Sequence, residues 1–291
     1  MADSTLPAAD PLRCAALRTV VAATLAVAPA AAGAAAALGY VTSAASLMGR
    51  VTVVDARAQA ACLKRSIDGA HCLPAKEFLD LHGRLAGFRE IYWLLGTAGL
   101  SGSEHVLVVG DDPTERDFVA GMLYLCGQRK VSILTLPLSQ GAGLPAARLG
   151  SGVGRAMTRN PYYQATVREG DIVLRSELAR TLAAGTQILD GRNAAETRGE
   201  KIRALAGAWT LPLSLARSRQ VLGRLELPAG RRFLAYGRGP FESVAYFALL
   251  RAGTGADVSV LLEGSAERPA MAAHAAALGS GRPAHERRRM R

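Results

Sequence analysis

The sequence predicts an α/β protein made of two similar domains, each a mainly parallel central sheet flanked by helices on both faces. Three observations carry that expectation. An apolar strand ends twice in Asp-x-Arg, as Val53-Val54-Asp55-Ala56-Arg57 and as Ile188-Leu189-Asp190-Gly191-Arg192. A Gly-Ala-x-x-Leu-Pro turn follows each time, at Gly69-Ala70-His71-Cys72-Leu73-Pro74 and at Gly207-Ala208-Trp209-Thr210-Leu211-Pro212. Further apolar runs repeat in the same order, His105–Val109 with Arg232–Tyr236 and Val131–Leu134 with Val258–Leu261. Matched segments in one order and at similar spacing mark a duplication.

Taken in order, the first half offers strands at Thr52–Asp55, Ala70–Leu73, Val106–Val109 and Val131–Thr135, short apolar runs suited to a sheet covered on both faces. Between the last two, Glu115–Cys126 places Phe118, Val119, Met122, Leu123 and Leu125 at helical spacing, with Gly127 as a stop. Ser243–Ala252, closed by Gly253, takes the same place in the second half. Strand and helix alternating at this length argue for parallel strands joined by right-handed crossovers. Pro137–Arg159 is rich in Gly, Ser, Pro and Ala, and it reads as a flexible linker. Its Gly150-Ser151-Gly152-Val153-Gly154 lacks the preceding strand and following lysine of a phosphate loop.

A chain of 291 residues suffices for two domains with real cores, and 49% hydrophobic with 20% charged residues is a globular composition. Aromatics make up only 5%, so the cores must be built from Leu, Val, Ile and Ala. Over a third of the formal charge of +11 lies at the end, where Arg282, Arg287, Arg288, Arg289 and Arg291 stand against Glu286 alone. The remaining arginines are scattered without interleaved aromatics to stack bases, which argues against nucleic acid as a partner. The four cysteines, Cys14, Cys62, Cys72 and Cys126, show no CxxC spacing, which removes a zinc ribbon and a thioredoxin-like motif. Cys62 and Cys72 can pair only if the fold brings them close.

Near the start, Arg13 and Arg18 precede an uncharged run from Thr19 to Val41. Val20–Ala28 has the length of a signal-peptide core, and Ala28-Pro29-Ala30 has the small-x-small pattern of a cleavage site. Export with cleavage near Ala30 is the first reading, and retention as a single membrane anchor is the second. The chain then divides into a signal peptide or anchor at 1–30, an N-terminal domain at 39–136, a linker at 137–160, a C-terminal domain at 161–280 and a basic tail at 281–291.

The ordered set of Asp-x-Arg, the Gly-Ala-x-x-Leu-Pro turn and the strand–loop–helix at Tyr236 resembles a tandem rhodanese, of the thiosulfate sulfurtransferase family, over about Gly39 to Pro269. Tyr163–Val167 and Ser176-Glu177-Leu178 resemble the entry to the second domain of such proteins, and Glu196-Thr197-Arg198-Gly199 matches the family's Glu-x-x-Gly. The resemblance implies a non-catalytic first domain and a second that carries a cysteine at a strand end. That cysteine holds a sulfane sulfur as a persulfide between two half-reactions, within a loop of inward-pointing N–H groups at a helix N-terminus.

In this chain the position falls on Gly237, within the loop Gly237, Arg238, Gly239, Pro240, Phe241, Glu242, Ser243. Glycine offers no nucleophile. Pro240 stands where the family commonly has glycine and lacks one N–H donor, and Glu242 puts a negative charge where an anionic donor would sit. Arg238 is the anion-binding candidate. Ser243 reads as a helix N-cap rather than a nucleophile, and it stands where the Cys-x5-Arg loop of related phosphatases would have arginine. Cys126 reads as a buried thiol. Cys62, expected in an exposed loop beside Lys64 and Arg65, and Cys72, beside His71, are the thiol candidates for displaced chemistry. Asp55, Arg57, Asp190 and Arg192 read as structural ion pairs.

The expectation is therefore an exported, catalytically silent rhodanese-like protein, a pseudoenzyme of the periplasm or outside the cell. It would act as a binding or accessory module in sulfur or redox metabolism, through a protein partner or a small sulfur-containing ligand, with no cofactor and no metal. A persulfide-based sulfurtransferase using a displaced cysteine, and a membrane-associated scaffold, are the alternatives.

Overall fold

The computed structural model describes residues 37–158, 162–193 and 205–264. The first half comprises β1 (Ala37–Val41), β2 (Thr52–Asp55), α1 (Gln59–Lys64), β3 (Ser66–Ile67), β4 (His71–Cys72), α2 (Phe88–Thr97), β5 (His105–Val109), α3 (Pro113–Leu125) and β6 (Lys130–Leu134). β7 (Leu149–Gly150) lies in the connecting chain. The described part of the second half comprises β8 (Ile172–Val173), α4 (Leu178–Ala183), β9 (Gln187–Asp190), β10 (Trp209–Thr210), α5 (Leu213–Val221), β11 (Arg232–Tyr236), α6 (Pro240–Thr254) and β12 (Asp257–Leu261). The signal or anchor region, Cys14, the Glu-x-x-Gly segment and the basic tail lie outside the described residues. Among the described residues no helix is long and apolar enough to cross a membrane.

Each half builds a five-stranded, all-parallel sheet, β1-β6-β5-β2-β4 in the first and β8-β12-β11-β9-β10 in the second. The order is the same once β8 is matched with β1, β9 with β2, β10 with β4, β11 with β5 and β12 with β6. The register repeats too. Asp55 pairs with Val109 and Cys72, and Asp190 pairs with Tyr236 and Thr210. Sequence periodicity did not foresee β1 or β8, because each is an edge strand made only by pairing with the β6 or β12 segment.

α3 starts where Asp112 Oδ1 accepts the N–H groups of Thr114 (2.7 Å) and Glu115 (2.8 Å), with Pro113 at the first helical position. Every residue from Arg116 to Leu125 is buried, because the helix lies between its own sheet and α6. Gly121 makes this approach possible: a Cβ there would stand 2.7 Å from Val244 Cγ1 and 2.9 Å from the Val244 carbonyl oxygen. Phe118 and Phe241 meet at 4.9 Å between ring centroids, so one apolar core runs from the first half into the second.

Two expectations about the chain's course are corrected. The expected stop at Gly253 fails, because α6 runs to Thr254 and Gly255 takes the left-handed turn with φ 68°. Gly253 instead lets Leu225 and Gln220 pack close, its would-be Cβ lying 3.1 Å from Leu225 Cδ2. The linker expected to be flexible is tied down along the first half. β7 pairs antiparallel with β3, and Val153 bridges His71 in parallel. Farther along, the Arg168 N–H donates to the Leu125 carbonyl (2.8 Å), and its guanidinium lies over the Tyr124 ring at 4.3 Å. Low periodicity and glycine content signalled absence of a regular element, but an exposed sheet edge needs hydrogen-bond partners, and this segment supplies them.

Candidate functional site

The two Asp-x-Arg pairs sit at equivalent strand ends. Asp190 accepts the Arg192 N–H (3.0 Å), its Nε–H (3.0 Å) and its Nη2 (2.8 Å), and also the Tyr236 hydroxyl (2.6 Å). The side chains of Arg192 and Asp190 are 0% and 2% exposed. Asp55 binds Arg57 in the same way, with the Ser66 hydroxyl (2.7 Å) as its added donor, and Arg57 reaches on to Asp111 Oδ2 (3.4 Å). The structure thus places all four residues in two closed ion pairs that fold the strand end into the following turn.

Burial by itself would raise the Asp190 carboxyl, but the hydrogen bonds from Arg192 and Tyr236 outweigh it and hold the group below the usual carboxylate range. A carboxyl lowered in the folded state contributes stability above its unfolded value, near 4, and loses it as pH falls through the folded value. Melting wild type and Asp190→Asn from pH 7 to pH 3 should show the two curves converging on acidification. Curves that stay parallel would exclude this contribution.

In the loop after β11, Gly237 follows the last strand residue, Tyr236, and Gly239 is the N-cap of α6. The Gly237 N–H donates to the Ser243 hydroxyl (2.9 Å). Ser243 is therefore not the N-cap that its position suggested. It is buried inside the first turns of α6 and holds the loop back onto the helix. The Arg238 N–H donates to Glu242 Oε2 (3.1 Å), and its guanidinium grips Oε1 through Nε (2.9 Å) and Nη2. Arg238, the anion-binding candidate, thus already holds the chain's own carboxylate.

The space at Gly237 is closed as well. A Cβ there would lie 2.6 Å from Glu242 Cβ, 3.0 Å from the Glu242 carbonyl carbon and 3.1 Å from Ser243 N. Pro240 occupies the first helical position, where a missing N–H leaves no intrahelical bond unmade. On the outer side, a Cβ at Gly264 would fall 2.7 Å from Gly239 Cα, so the chain after β12 lies against the loop backbone. At the equivalent Gly110 of the first half, the nearest atoms to a Cβ are at 3.6–3.8 Å, and that position has room.

The cysteine expectations are corrected by burial and pairing. Cys62 is not on an exposed loop: it lies in α1 at 0% exposure and forms a disulfide with Cys72 on β4. Neither is a free thiol. Helical spacing of Cys62 with its neighbours was hidden by the shortness of α1, and the pairing depended on β4 lying beside that helix. Cys126 is free and buried, and burial pushes its thiol up, away from the thiolate form.

A cleft of about 640 Å³ opens beside the loop between the two halves, lined by Pro113 and Thr114 from one and by Asn193, Leu213, Ser214, Arg217, Val221, Leu222 and Glu242 from the other. Arg217 joins the halves: its Nη1 donates to Asp117 Oδ2 (2.6 Å), while the Tyr40 hydroxyl donates to Oδ1 (2.9 Å). Arg217 Nη2 is buried without a hydrogen-bond partner among the described residues. Burial outweighs the guanidinium and raises the Asp117 carboxyl. Neither Asp117 nor Arg217 was legible as a functional residue, since their meeting joins positions 100 apart in the chain.

By sequence, the chain matches no family model and no curated protein. Solved structures do match its fold. SseA from Escherichia coli, described as a 3-mercaptopyruvate sulfotransferase of rhodanese fold, superposes with a TM-score of 0.58 at 18% identity, covering 77% of this chain and 97% of SseA. YnjE superposes with a TM-score of 0.56 at 15% identity over 76% of this chain and 64% of its own. Wild-type EanB gives a TM-score of 0.55 at 15% identity over 73% and 60%. The fold is that of the rhodaneses, with two parallel sheets as in a two-domain member.

Proposed function

We propose that this chain is an exported, catalytically silent member of the rhodanese-fold sulfurtransferases, a binding or accessory protein whose ligand enters the cleft between its halves. The observation that carries the reading is Gly237. The position that would hold the sulfur-carrying cysteine has no side chain, and Glu242 and Ser243 fill the space a side chain would need. Donors that would ring a bound sulfur are engaged inside the loop, the Gly237 N–H by Ser243 and the Arg238 N–H by Glu242. A covalent relay has no attachment point in such a loop.

Three further features support the reading. The Cys62–Cys72 disulfide fits an oxidising compartment and so favours export. The same bond, with the burial of Cys126, argues against a displaced thiol as sulfur carrier. The cleft offers apolar walls at Leu213 and Leu222 with the polar side chains of Asn193 and Ser214 beside them, suited to a small molecule with an apolar body and a polar end.

Incubating the full chain with thiosulfate or polysulfide and weighing it intact should reveal no added sulfur on any cysteine, and thiosulfate with cyanide should turn over no faster than a blank. A persulfide on a native cysteine, or turnover above the blank, would overturn the reading. Gly237→Cys is expected to be destabilised by about 1–3 kcal/mol, because its Cβ must displace Glu242, and to gain no sulfur transfer. Ordinary sulfurtransferase rates from that single substitution would show the cradle intact.

A further inference from the structure

The tied-down linker and the disulfide lie directly on each other. The Gly152 N–H donates to the Cys62 carbonyl (3.0 Å), the Cys72 N–H to the Val153 carbonyl (2.9 Å), and the Val153 N–H to the Ala70 carbonyl (2.7 Å). A Cβ at residue 152 would stand 2.4 Å from Cys62 Sγ and 2.7 Å from Cys72 Sγ, so the backbone of this glycine is the lid of the sulfur pair. Two residues on, at Gly154, the nearest atoms to a Cβ are at 3.5 and 3.7 Å. Cys62 and Cys72 are 0% and 1% exposed.

We propose that residues 148–153 and the Cys62–Cys72 bond form a mutual redox latch: the strap gates access of a dithiol reductant to the disulfide, and the disulfide holds the strap on the β4 edge. A thiolate displaces one sulfur of a disulfide only by reaching the other directly, and Gly152 closes that approach. The strap must lift first. The reductant's first thiolate then bonds to one cysteine sulfur, forming a mixed disulfide and releasing the other cysteine as a thiolate that takes up a proton. Its second thiol displaces the remaining cysteine, and the dithiol leaves as its own disulfide, having given two electrons and two protons to the protein.

The converse half of the latch follows from packing. Two unbonded thiols occupy more room than a bonded sulfur pair, and close-packed interiors do not yield that room freely. With Gly152 against both sulfurs, the strap is the part that must move. Its departure uncovers the backbone edge of β4, whose Cys72 N–H and Ala70 carbonyl lose their partners on the strap, together with two thiols.

The full chain is treated with dithiothreitol under native conditions, and free thiols are trapped by alkylation and weighed over time. Gly152→Ala is expected to be reduced at least tenfold faster than wild type, because its methyl group forces the strap off the sulfurs, while Gly154→Ala stays within about twofold. Equal rates for wild type and Gly152→Ala, or equal acceleration by Gly154→Ala, would refute the gate. Amide hydrogen exchange of wild type before and after reduction tests the other half without any substitution. Exchange at Gly152, Val153 and Cys72 should rise at least tenfold on reduction while β5 stays protected, and unchanged exchange there would refute the latch.

Discussion

Arg192→Ala should destabilise the protein by about 3–5 kcal/mol, read from urea or thermal unfolding, because it strips a fully buried carboxylate of its counter-charge. Asp190 would keep the Tyr236 hydroxyl as a donor but would lose both guanidinium bonds. The turn from β9 also leans on this pair, since the backbone of Arg192 itself donates to Asp190. The contrast with a surface pair makes the effect diagnostic. Arg180→Ala breaks a bond to Glu177 in which the two side chains are 82% and 37% exposed, and its effect is expected within about 1 kcal/mol. Similar losses for the two variants would mean that Asp190–Arg192 does no more than a solvated surface pair.

Arg217→Ala should be the other large effect, also about 3 kcal/mol at neutral pH, and it should depend on pH in a stated direction. It leaves Asp117, fully buried, with the Tyr40 hydroxyl as its side-chain donor. The carboxyl is already raised by burial, and removing the guanidinium that opposes this raises it further. A carboxyl raised in the folded state favours folding when protonated and loses that advantage as pH climbs through its folded value. The difference between wild type and Arg217→Ala should therefore shrink on acidification. A gap that widens at low pH would refute the assignment. The variant also tests how the halves are joined, because Arg217 comes from α5 and Asp117 from α3.

The two sites differ in how far the residues alone reveal them. Asp55, Arg57, Asp190 and Arg192 are readable because each pair is local, two residues apart, and the duplication shows it twice. Gly237 is readable because it follows a strand whose partner strand repeats earlier in the chain. The role of Ser243 is not, because an N-cap and a buried helix serine look alike until the loop's backbone direction is known. The burial of Cys62 is illegible for a similar reason. Lys64 and Arg65 favour a thiolate only where Cys62 meets solvent, whereas Cys62 is the buried residue of α1 and both charges lie exposed.

By itself the sequence determined the duplicated α/β plan, the inner strands and the residue at the head of the second-half loop, because apolar periodicity and short repeated signatures are properties of neighbouring residues. Only the tertiary structure decided that β1 and β8 are strands, that the linker is a strap, that Cys62 meets Cys72, and that Asp117 meets Arg217. Each of those depends on segments far apart in the chain satisfying one another's backbone groups or charges once packed. No local pattern records such a meeting, since the residues involved are ordinary until the core brings them within bonding distance.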